Sequence, residues 1–209
     1  NGVDHMNRIS ADDSILGRHQ LSSGNYFLAM GSVIKHKNLI CTLNAIAACS
    51  SEAPRLVVVG GNVSEIKAAF ASSISERVLL LGRVSDEELK ALYMHANAFL
   101  FPSITEGFGL PPLEAMHCGC PVVASMSGAM SEVCGDTVCY ADPDKPEDWA
   151  ASMEELASDP NMREKISARA CHRAAKFTWR RTAMQLLQAI AFVEDDRSLK
   201  TQLEALNAS

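Results

Sequence analysis

The sequence lacks a long apolar run and a surplus of basic residues, and each absence excludes a class of protein. No stretch approaches twenty uninterrupted apolar residues, so no segment is expected to span a bilayer. The chain carries 19 Lys plus Arg against 25 Asp plus Glu, a net charge of −6. A chain this acidic has no general electrostatic reason to bind nucleic acid or an anionic membrane surface.

An initiator methionine and a secretion signal are also missing. The sequence begins at Asn1, and no basic segment followed by an apolar one comes after it. We therefore expect an excised piece of a longer, cytoplasmic protein, with any targeting segment lying upstream.

Paired cysteine motifs are absent as well. The cysteines form an odd, unpatterned set within mostly apolar runs, which is typical of reduced, buried thiols in a cytosolic protein. Segment 117–120 places a histidine beside two cysteines but lacks the C-x2-C spacing of zinc modules, so we expect no metal site. The cysteines are Cys41, Cys49, Cys118, Cys120, Cys134, Cys139 and Cys171.

What the sequence does contain is a series of short apolar runs that alternate with helical patterns. Runs that are apolar throughout are expected for strands covered on both faces of a parallel sheet. The pattern predicts an α/β fold, a Rossmann-like doubly wound parallel sheet with helices on both faces. The predicted strands are 26–30, 56–59, 78–81, 98–101, 121–124 and 137–140, and the helices between them are 38–48, 64–73, 86–96 and 112–118.

The two ends of the chain are predicted to differ from this central domain, which spans residues 24–178. Residues 1–23 are polar and read as an irregular lead-in or interdomain segment. After residue 142 the pattern is purely helical, over 146–157, 162–176 and 179–193. Residues 179–209 form the C-terminal helix and a tail that is weakly helical around Leu199, Leu203 and Leu206.

The loop after the first predicted strand suits a phosphate. In an open parallel sheet, ligands bind at the carboxyl ends of the strands, where helix N-termini present free N–H groups. Gly31 allows a close backbone approach, Asn38 is placed to cap the next helix, and Lys37 lies at its positive end. On spacing alone, a capped helix with solvated lysines is the better explanation of the pattern.

The next two strand ends carry weaker signals. The pair Gly60-Gly61 is typical of a turn, and Arg83 is able to bracket a base or a phosphate or simply to be solvated.

The loop after the fourth strand is the most informative. Two glycines bend it and two prolines open a helix, so the amides of Phe108, Gly109 and Leu110 would converge on an anion. Glu106 lies in the loop, and Glu114 follows in the first turn of the predicted helix. A carboxylate accepts hydrogen bonds from a vicinal diol well, although Glu114 would equally suit a partner for the helix dipole.

This segment closely resembles the signature of the large retaining glycosyltransferase family commonly numbered four. The match is Glu106-x7-Glu114 within S-x-x-E-G-F-G-L-P-x-x-E-A-M-x-x-G-x-P-V-V-A-S. Further similar residues occur in the family's order at 1–4, 37–38, 60–61, 82–84, 127–129, 132–133 and 177–179.

The resemblance implies the GT-B architecture, in which the C-terminal domain holds a nucleoside diphosphate sugar such as GDP-mannose or UDP-glucose. Glu114 would take the ribose hydroxyls, and Glu106 would contact the donor sugar near the reacting centre. Lys37 would neutralise charge on the departing diphosphate without a metal or other cofactor. Arg83 and Val84 would flank the base, and Gly31 and Gly60 would line the site.

One residue departs from the pattern. Many members carry an arginine directly after the first loop's glycine, where this chain has Ser32. Either His36 or Lys35 substitutes, or Lys37 acts alone.

The resemblance also implies a missing N-terminal half, which would bind a glycan or lipid-linked acceptor and supply any peripheral membrane association. Helix 179–192 should then carry an apolar face without its usual partner, formed by Met184, Leu187, Ile190 and Ala191. Those residues would equally pack on their own domain.

Four functions compete. The first is the donor half of a hexosyltransferase, inactive alone; the second is a stand-alone nucleotide-sugar-binding subunit that needs a partner chain. A dinucleotide-dependent oxidoreductase is disfavoured because no G-x-G-x-x-G follows the first strand. The spacing from Glu106 to Glu114 fits a transferase better than a sugar-nucleotide epimerase or a phosphorylase.

Overall fold

The computed structural model describes residues 1–193, with side chains through residue 191. The predicted helical tail around Leu199, Leu203 and Leu206 lies outside this range. Among the described residues, no helix is both long and apolar enough to cross a membrane.

All six predicted strands form, and all pair in parallel in a single sheet of order β3-β2-β1-β4-β5-β6. This is the Rossmann strand order, and it confirms the predicted doubly wound fold. Strand edges differ from the prediction by one or two residues. The strands are β1 Tyr26–Met30, β2 Arg55–Val59, β3 Val78–Gly82, β4 Ala98–Phe101, β5 Val122–Ser125 and β6 Cys139–Ala141.

Helices connect the strands, and three more helices follow the last strand in the described chain. The helices are α1 Ser14–Arg18, α2 Leu39–Ala48, α3 Val63–Ala69, α4 Asp86–His95, α5 Leu110–His117, α6 Met130–Cys134, α7 Pro146–Ser158, α8 Pro160–Ala174 and α9 Trp179–Val193. Short 3-10 turns lie at Asp4–Arg8 and Lys35–Lys37. The start of α4 is a capping box, in which Ser85 and Glu88 bond each other's backbone amides.

The core lies on both faces of the sheet, as continuously apolar strands require. Side chains alternate along a strand, so Tyr26 and Leu28 of β1 enter one cluster while Phe27 and Ala29 enter the other. Trp149 of α7 is fully buried in the second cluster, and its indole N–H donates to the Asp142 carbonyl at 2.8 Å. Burial with a satisfied polar atom lets a large ring fill the core at little cost.

The prediction of an irregular segment over residues 1–23 is wrong in part. This segment contains a 3-10 turn and helix α1, and it buries Val3, Met6, Ile15 and Leu21 in the first cluster. The apolar residues of this segment are too widely scattered to show a period. Packing against the helices that flank the sheet therefore orders the segment, and local helix propensity does not. Helix α6 was missed because five residues show no period either.

Helix α9 exposes part of the expected apolar face. Leu187 and Ile190 are each 39% exposed and Leu186 is 61% exposed, whereas Ala191 is fully buried. Met184 is half-buried. Part of this face is therefore exposed, as a missing partner would leave it, and part is packed on its own domain.

The first strand end is packed too tightly for any side chain. A Cβ built on Gly31 would lie 2.8 Å from the Gly60 carbonyl oxygen and 2.9 Å from Ile66 Cδ1. The neighbouring backbone belongs to the adjacent strand end and has no freedom to withdraw, so this position requires glycine.

We expect Gly31→Ala to lower the free energy of unfolding by about 1–3 kcal/mol, the usual cost of overpacking. Gly17→Ala is the control, because a Cβ there meets nothing within 4 Å and the residue lies in α1. That variant should be neutral or up to ~1 kcal/mol more stable. Urea unfolding checks both, and a Gly31→Ala protein as stable as wild type contradicts the packing argument.

Candidate active site

The site lies where the chain reverses its direction of winding. Strands β1 and β4 are neighbours, with β2 and β3 on one side and β5 and β6 on the other. The loops after β1 and β4 therefore diverge and leave a crevice at the carboxyl edge of the sheet. Lys37, after β1, and Glu106, after β4, meet across it with 2.6 Å between Nζ and Oε1.

The loop after β1 fixes the position of Lys37. The backbone N–H of Ile104 donates to the His36 carbonyl at 2.8 Å and joins this loop to the one after β4. The Lys37 ammonium also lies 5.9 Å from the centre of the Phe101 ring, within reach of a cation–π attraction. The prediction that the Asn38 side chain caps α2 is wrong. Asn38 is left-handed, with φ 53°, and its amide donates instead to the Pro143 carbonyl at 2.8 Å.

The loop after β5 contacts the loop that carries Glu106. Ser127 Oγ donates to the Ser103 carbonyl at 2.8 Å, and the Ser125 hydroxyl bonds the same oxygen. A Cβ on Gly128 would lie only 2.7 Å from the Glu106 carbonyl oxygen, so the two loops are in direct backbone contact. The Glu106 side chain is 13% exposed, and its pairing with Lys37 satisfies a charge that would otherwise be costly at that depth.

The three amides predicted to hold an anion are all present at the start of α5. Gly109 has φ +94° and turns the chain into the helix, which begins at Leu110. Within residues 1–193, the N–H groups of Phe108, Gly109 and Leu110 donate no hydrogen bond. Pro111 and Pro112 follow and have no N–H, so this helix start presents its unpaired donors ahead of the prolines.

A cavity of about 240 Å³ lies at the ends of β1 and β4 and reaches Pro111 in the first turn of α5. Gly31, Ser32, Lys37 and Ser103 line it, together with Pro111 and the ends of β1 and β4. The Ser32 hydroxyl is occupied locally, because it accepts the N–H of Ile34 at 3.1 Å. A positive side chain and two serines thus border a cavity that ends at the first turn of α5.

The remaining predicted residues lie on the same edge of the sheet but differ in availability. The Gly31 and Gly60 amides are already bonded, to the Val59 and Gly82 carbonyls at 2.6 Å each, so these glycines can supply space but no donor. Arg83 is exposed and Val84 half-buried. The His36 side chain is exposed and, in the described part of the chain, makes no hydrogen bond.

Glu114 lies in the second turn of α5, so the prediction that it lies in the first turn is wrong, because the helix begins earlier, at Leu110. Its side chain is 18% exposed. Burial raises the pKa of this carboxyl, and the contact with His5 opposes that rise. His5 Nε2 lies 3.2 Å from Glu114 Oε1. A partly buried carboxylate with a displaced pKa at a sheet's carboxyl edge is a candidate for binding chemistry.

Sequence reasoning missed His5 and the supporting role of Ser127. His5 is separated from Glu114 by 109 positions, and no local pattern connects the two. The segment 127–129 was noted only for its family likeness, and its neighbourhood with Glu106 depends on the pairing of β4 with β5.

Two of the buried cysteines, Cys41 and Cys49, are protonated thiols. Burial raises the pKa of Cys41 to about 12 and that of Cys49 to about 11, so these thiols stay protonated near neutral pH. In the part of the chain that the structure describes, no three His, Cys, Asp or Glu side chains are grouped to hold a metal ion.

The fold and this crevice define a Rossmann-like α/β domain of the GT-B type. The family model described as glycosyl transferases group 1 matches residues 16–173, and the chain belongs to that family.

The curated relatives of this chain include bacterial sugar transferases. O-antigen chain mannosyltransferase B from Escherichia coli is 34% identical over 184 residues, which cover 84% of this chain and 48% of that protein. D-inositol 3-phosphate glycosyltransferase from Rhodococcus jostii is 32% identical over 145 residues, covering 65% of this chain and 32% of that protein. The chain therefore spans about half the length, or less, of the curated relatives it matches.

Solved structures share the fold. Anabaena HepE in complex with UDP and glucose superposes with a TM-score of 0.79 at 20% identity, covering 91% of this chain and 55% of that one. Sucrose-phosphate synthase from Thermosynechococcus elongatus gives 0.77 at 22% identity, covering 91% and 51%.

The raised pKa of Glu114 predicts a pH-dependent cost in stability. The folded protein holds this proton more tightly than the unfolded chain, whose reference value is 4.5. The resulting stability is therefore present below that value and is lost as pH rises through the folded-state pKa. Glu114→Gln should remove the loss, so its melting temperature relative to wild type should increase from about pH 4 to about pH 8.

Glu52→Gln provides the control, because Glu52 lies exposed in a turn. Thermal melts across the pH range measure both variants. A melting-temperature difference for Glu114→Gln that stays constant with pH would show that the carboxyl carries no such cost.

Proposed function

We propose that this chain is the donor-binding domain of a retaining glycosyltransferase of the family numbered four, and that its donor is a nucleoside diphosphate sugar. The observation that carries the proposal is the Lys37–Glu106 pair across the winding reversal, beside the three free amides of residues 108–110. Together they supply a cation and directed donors for a diphosphate and a carboxylate near the attached sugar.

Each group has a role that follows from its chemistry. As the bond from the sugar to the diphosphate breaks, negative charge develops on the departing phosphate, and Lys37 with the amides would stabilise it. Glu106 would accept hydrogen bonds from the donor sugar. In the ligand-free arrangement Lys37 bonds Glu106, so phosphate binding would draw the ammonium toward the new anion. The Glu114 carboxylate would accept the ribose hydroxyls.

The site is proposed to work without a metal, because a side-chain cation and backbone donors cover the charge that a divalent ion would otherwise neutralise. Arg83 and Val84 would flank the base, and Gly31, Ser32, His36 and Gly60 would border the diphosphate and sugar.

The sugar and acceptor are proposed from the relatives. Mannosyltransferases of O-antigen assembly support a hexose, of mannose or glucose type, and a glycan or lipid-linked acceptor. Because the chain spans about half the length of those proteins, we propose that a second domain binds the acceptor and that this chain alone transfers no sugar. A stand-alone subunit completed by a partner chain is the alternative.

Lys37→Ala should weaken nucleoside diphosphate binding by about tenfold or more, since charge-assisted hydrogen bonds contribute roughly 1.5–3 kcal/mol. Lys35→Ala is the matched control, because Lys35 is an exposed lysine of the same 3-10 turn. Calorimetric titration with GDP, UDP and ADP, with and without EDTA, measures both. Equal losses for the two variants would indicate a general charge effect, and a strict need for Mg²⁺ would overturn the metal-free proposal.

Glu114→Ala should also weaken binding of the preferred nucleotide by about tenfold, through loss of bonds to the ribose diol. A 2′,3′-dideoxy analogue should bind wild type and variant with the same reduced affinity, because it lacks the hydroxyls. If the ordinary nucleotide binds both proteins equally well, the ribose assignment is wrong.

A further inference from the structure

The residue that contacts Glu114 comes from the opposite end of the chain. His5 lies in the 3-10 turn Asp4–Arg8, and its Nε2 is 3.2 Å from Glu114 Oε1. No other side chain of residues 1–191 forms a hydrogen bond or ion pair with the Glu114 carboxylate.

The turn that carries His5 is fixed on both sides. The Val3 N–H donates to the Phe177 carbonyl at 2.9 Å, and Asp4 Oδ1 accepts the N–H of Trp179 at 2.8 Å. On the other side, Lys90 Nζ donates to the carbonyls of Met6 and Ile9, at 2.9 and 2.8 Å. The backbone that carries His5 therefore cannot move away from Glu114 without breaking several bonds.

The tautomer of His5 follows from its surroundings. Its Nδ1 is buried and has no hydrogen-bond partner among the described residues. A proton placed there would be a buried donor without an acceptor, which is costly, so the ring proton belongs on Nε2, facing Glu114. One carboxylate oxygen is then held by a donor and the other stays open.

We propose that His5 is a positioning residue for the ribose site: its Nε2–H holds Glu114 Oε1 and directs Oε2 toward the ribose hydroxyls. The inference rests on the proposed function, because it gives Glu114 the ribose-binding role. It also makes the segment before α1 a component of the nucleotide site.

The electrostatics around Glu114 explain why such a donor is needed. Burial and the nearby Asp86 of α4 both favour the protonated carboxyl, and His5 is the group that opposes them. The neighbouring Tyr93 of α4 is buried and Cys118 after α5 is half-buried, and desolvation raises the pKa of both. The cation Lys90 on α4 is bonded to backbone carbonyls, and His117 on α5 lies 3.0 Å from Asn7 Oδ1.

Without His5, the carboxyl would hold its proton to higher pH. A protonated carboxyl has lost part of its acceptor capacity, so nucleotide binding would weaken first on the acid side. A purely structural role for His5 would instead lower affinity evenly at every pH.

The test compares His5→Leu, which removes the donor, with His5→Gln, which keeps a neutral N–H donor. His95→Leu and His95→Gln are matched controls. His95, in α4, also places its Nε2 3.2 Å from a carboxylate oxygen, Oδ1 of Asp13. This pair likewise joins the N-terminal segment to a helix, but it does not involve Glu114. The Glu114 side-chain carboxyl is titrated by ¹³C NMR in each protein without nucleotide. The affinity for the preferred nucleoside diphosphate is then measured against pH.

We expect His5→Leu to move the Glu114 titration to higher pH and to weaken binding roughly three- to tenfold, with the larger loss at acidic pH. His5→Gln should restore most of the affinity, and the His95 variants should leave both measurements unchanged.

Two results would overturn the proposal in different ways. If Glu114→Ala weakens binding but His5→Leu leaves the Glu114 titration in place, or lowers affinity evenly across pH, the positioning role is wrong while the ribose site stands. If His5→Leu shifts the titration but Glu114→Ala leaves affinity unchanged, the ribose assignment fails, and the positioning role fails with it.

Discussion

The reversal of strand order between β1 and β4 is the constraint on which the site depends. The chain places β2 and β3 to one side of β1, then returns to add β4, β5 and β6 on the other. Because each crossover packs its helix against the sheet, the loops after β1 and β4 must separate, and the crevice between them cannot close. The backbone bond from Ile104 to His36 and the Lys37–Glu106 pair are what span it.

The carboxyl groups of Glu106 and Glu114 cost stability because both are partly buried. Glu106 is mostly buried and is balanced by Lys37, whereas Glu114 is balanced by the weaker donor His5 and its pKa remains raised. A protein selected for stability alone would replace such a carboxyl by an amide or an apolar side chain. Retaining a carboxyl at the carboxyl edge of a parallel sheet accords with the binding role proposed above.

The N-terminal segment contributes more than its sequence suggests. It is tied to the start of α9 through Val3 and Asp4, to α4 through Lys90, and to α5 through His5. A Cβ on Gly2 would lie 2.1 Å from the Trp179 amide nitrogen, so the two segments cross in close backbone contact. The residues that precede the sheet therefore share a packing unit with Glu114 and with the helix that follows the domain.

The sequence by itself determined the sheet and most helices, and it supplied the candidate site residues. Six apolar runs predicted six buried parallel strands, because only strands covered on both faces lack polar alternation. The prolines before Leu113 marked a helix start through local chemistry, and the residues around Glu106 and Glu114 resembled a glycosyltransferase signature. Only the tertiary structure decided which groups meet. Lys37 and Glu106 are 69 positions apart and His5 and Glu114 are 109 apart, so their contacts arise from strand order and packing, which no local pattern encodes.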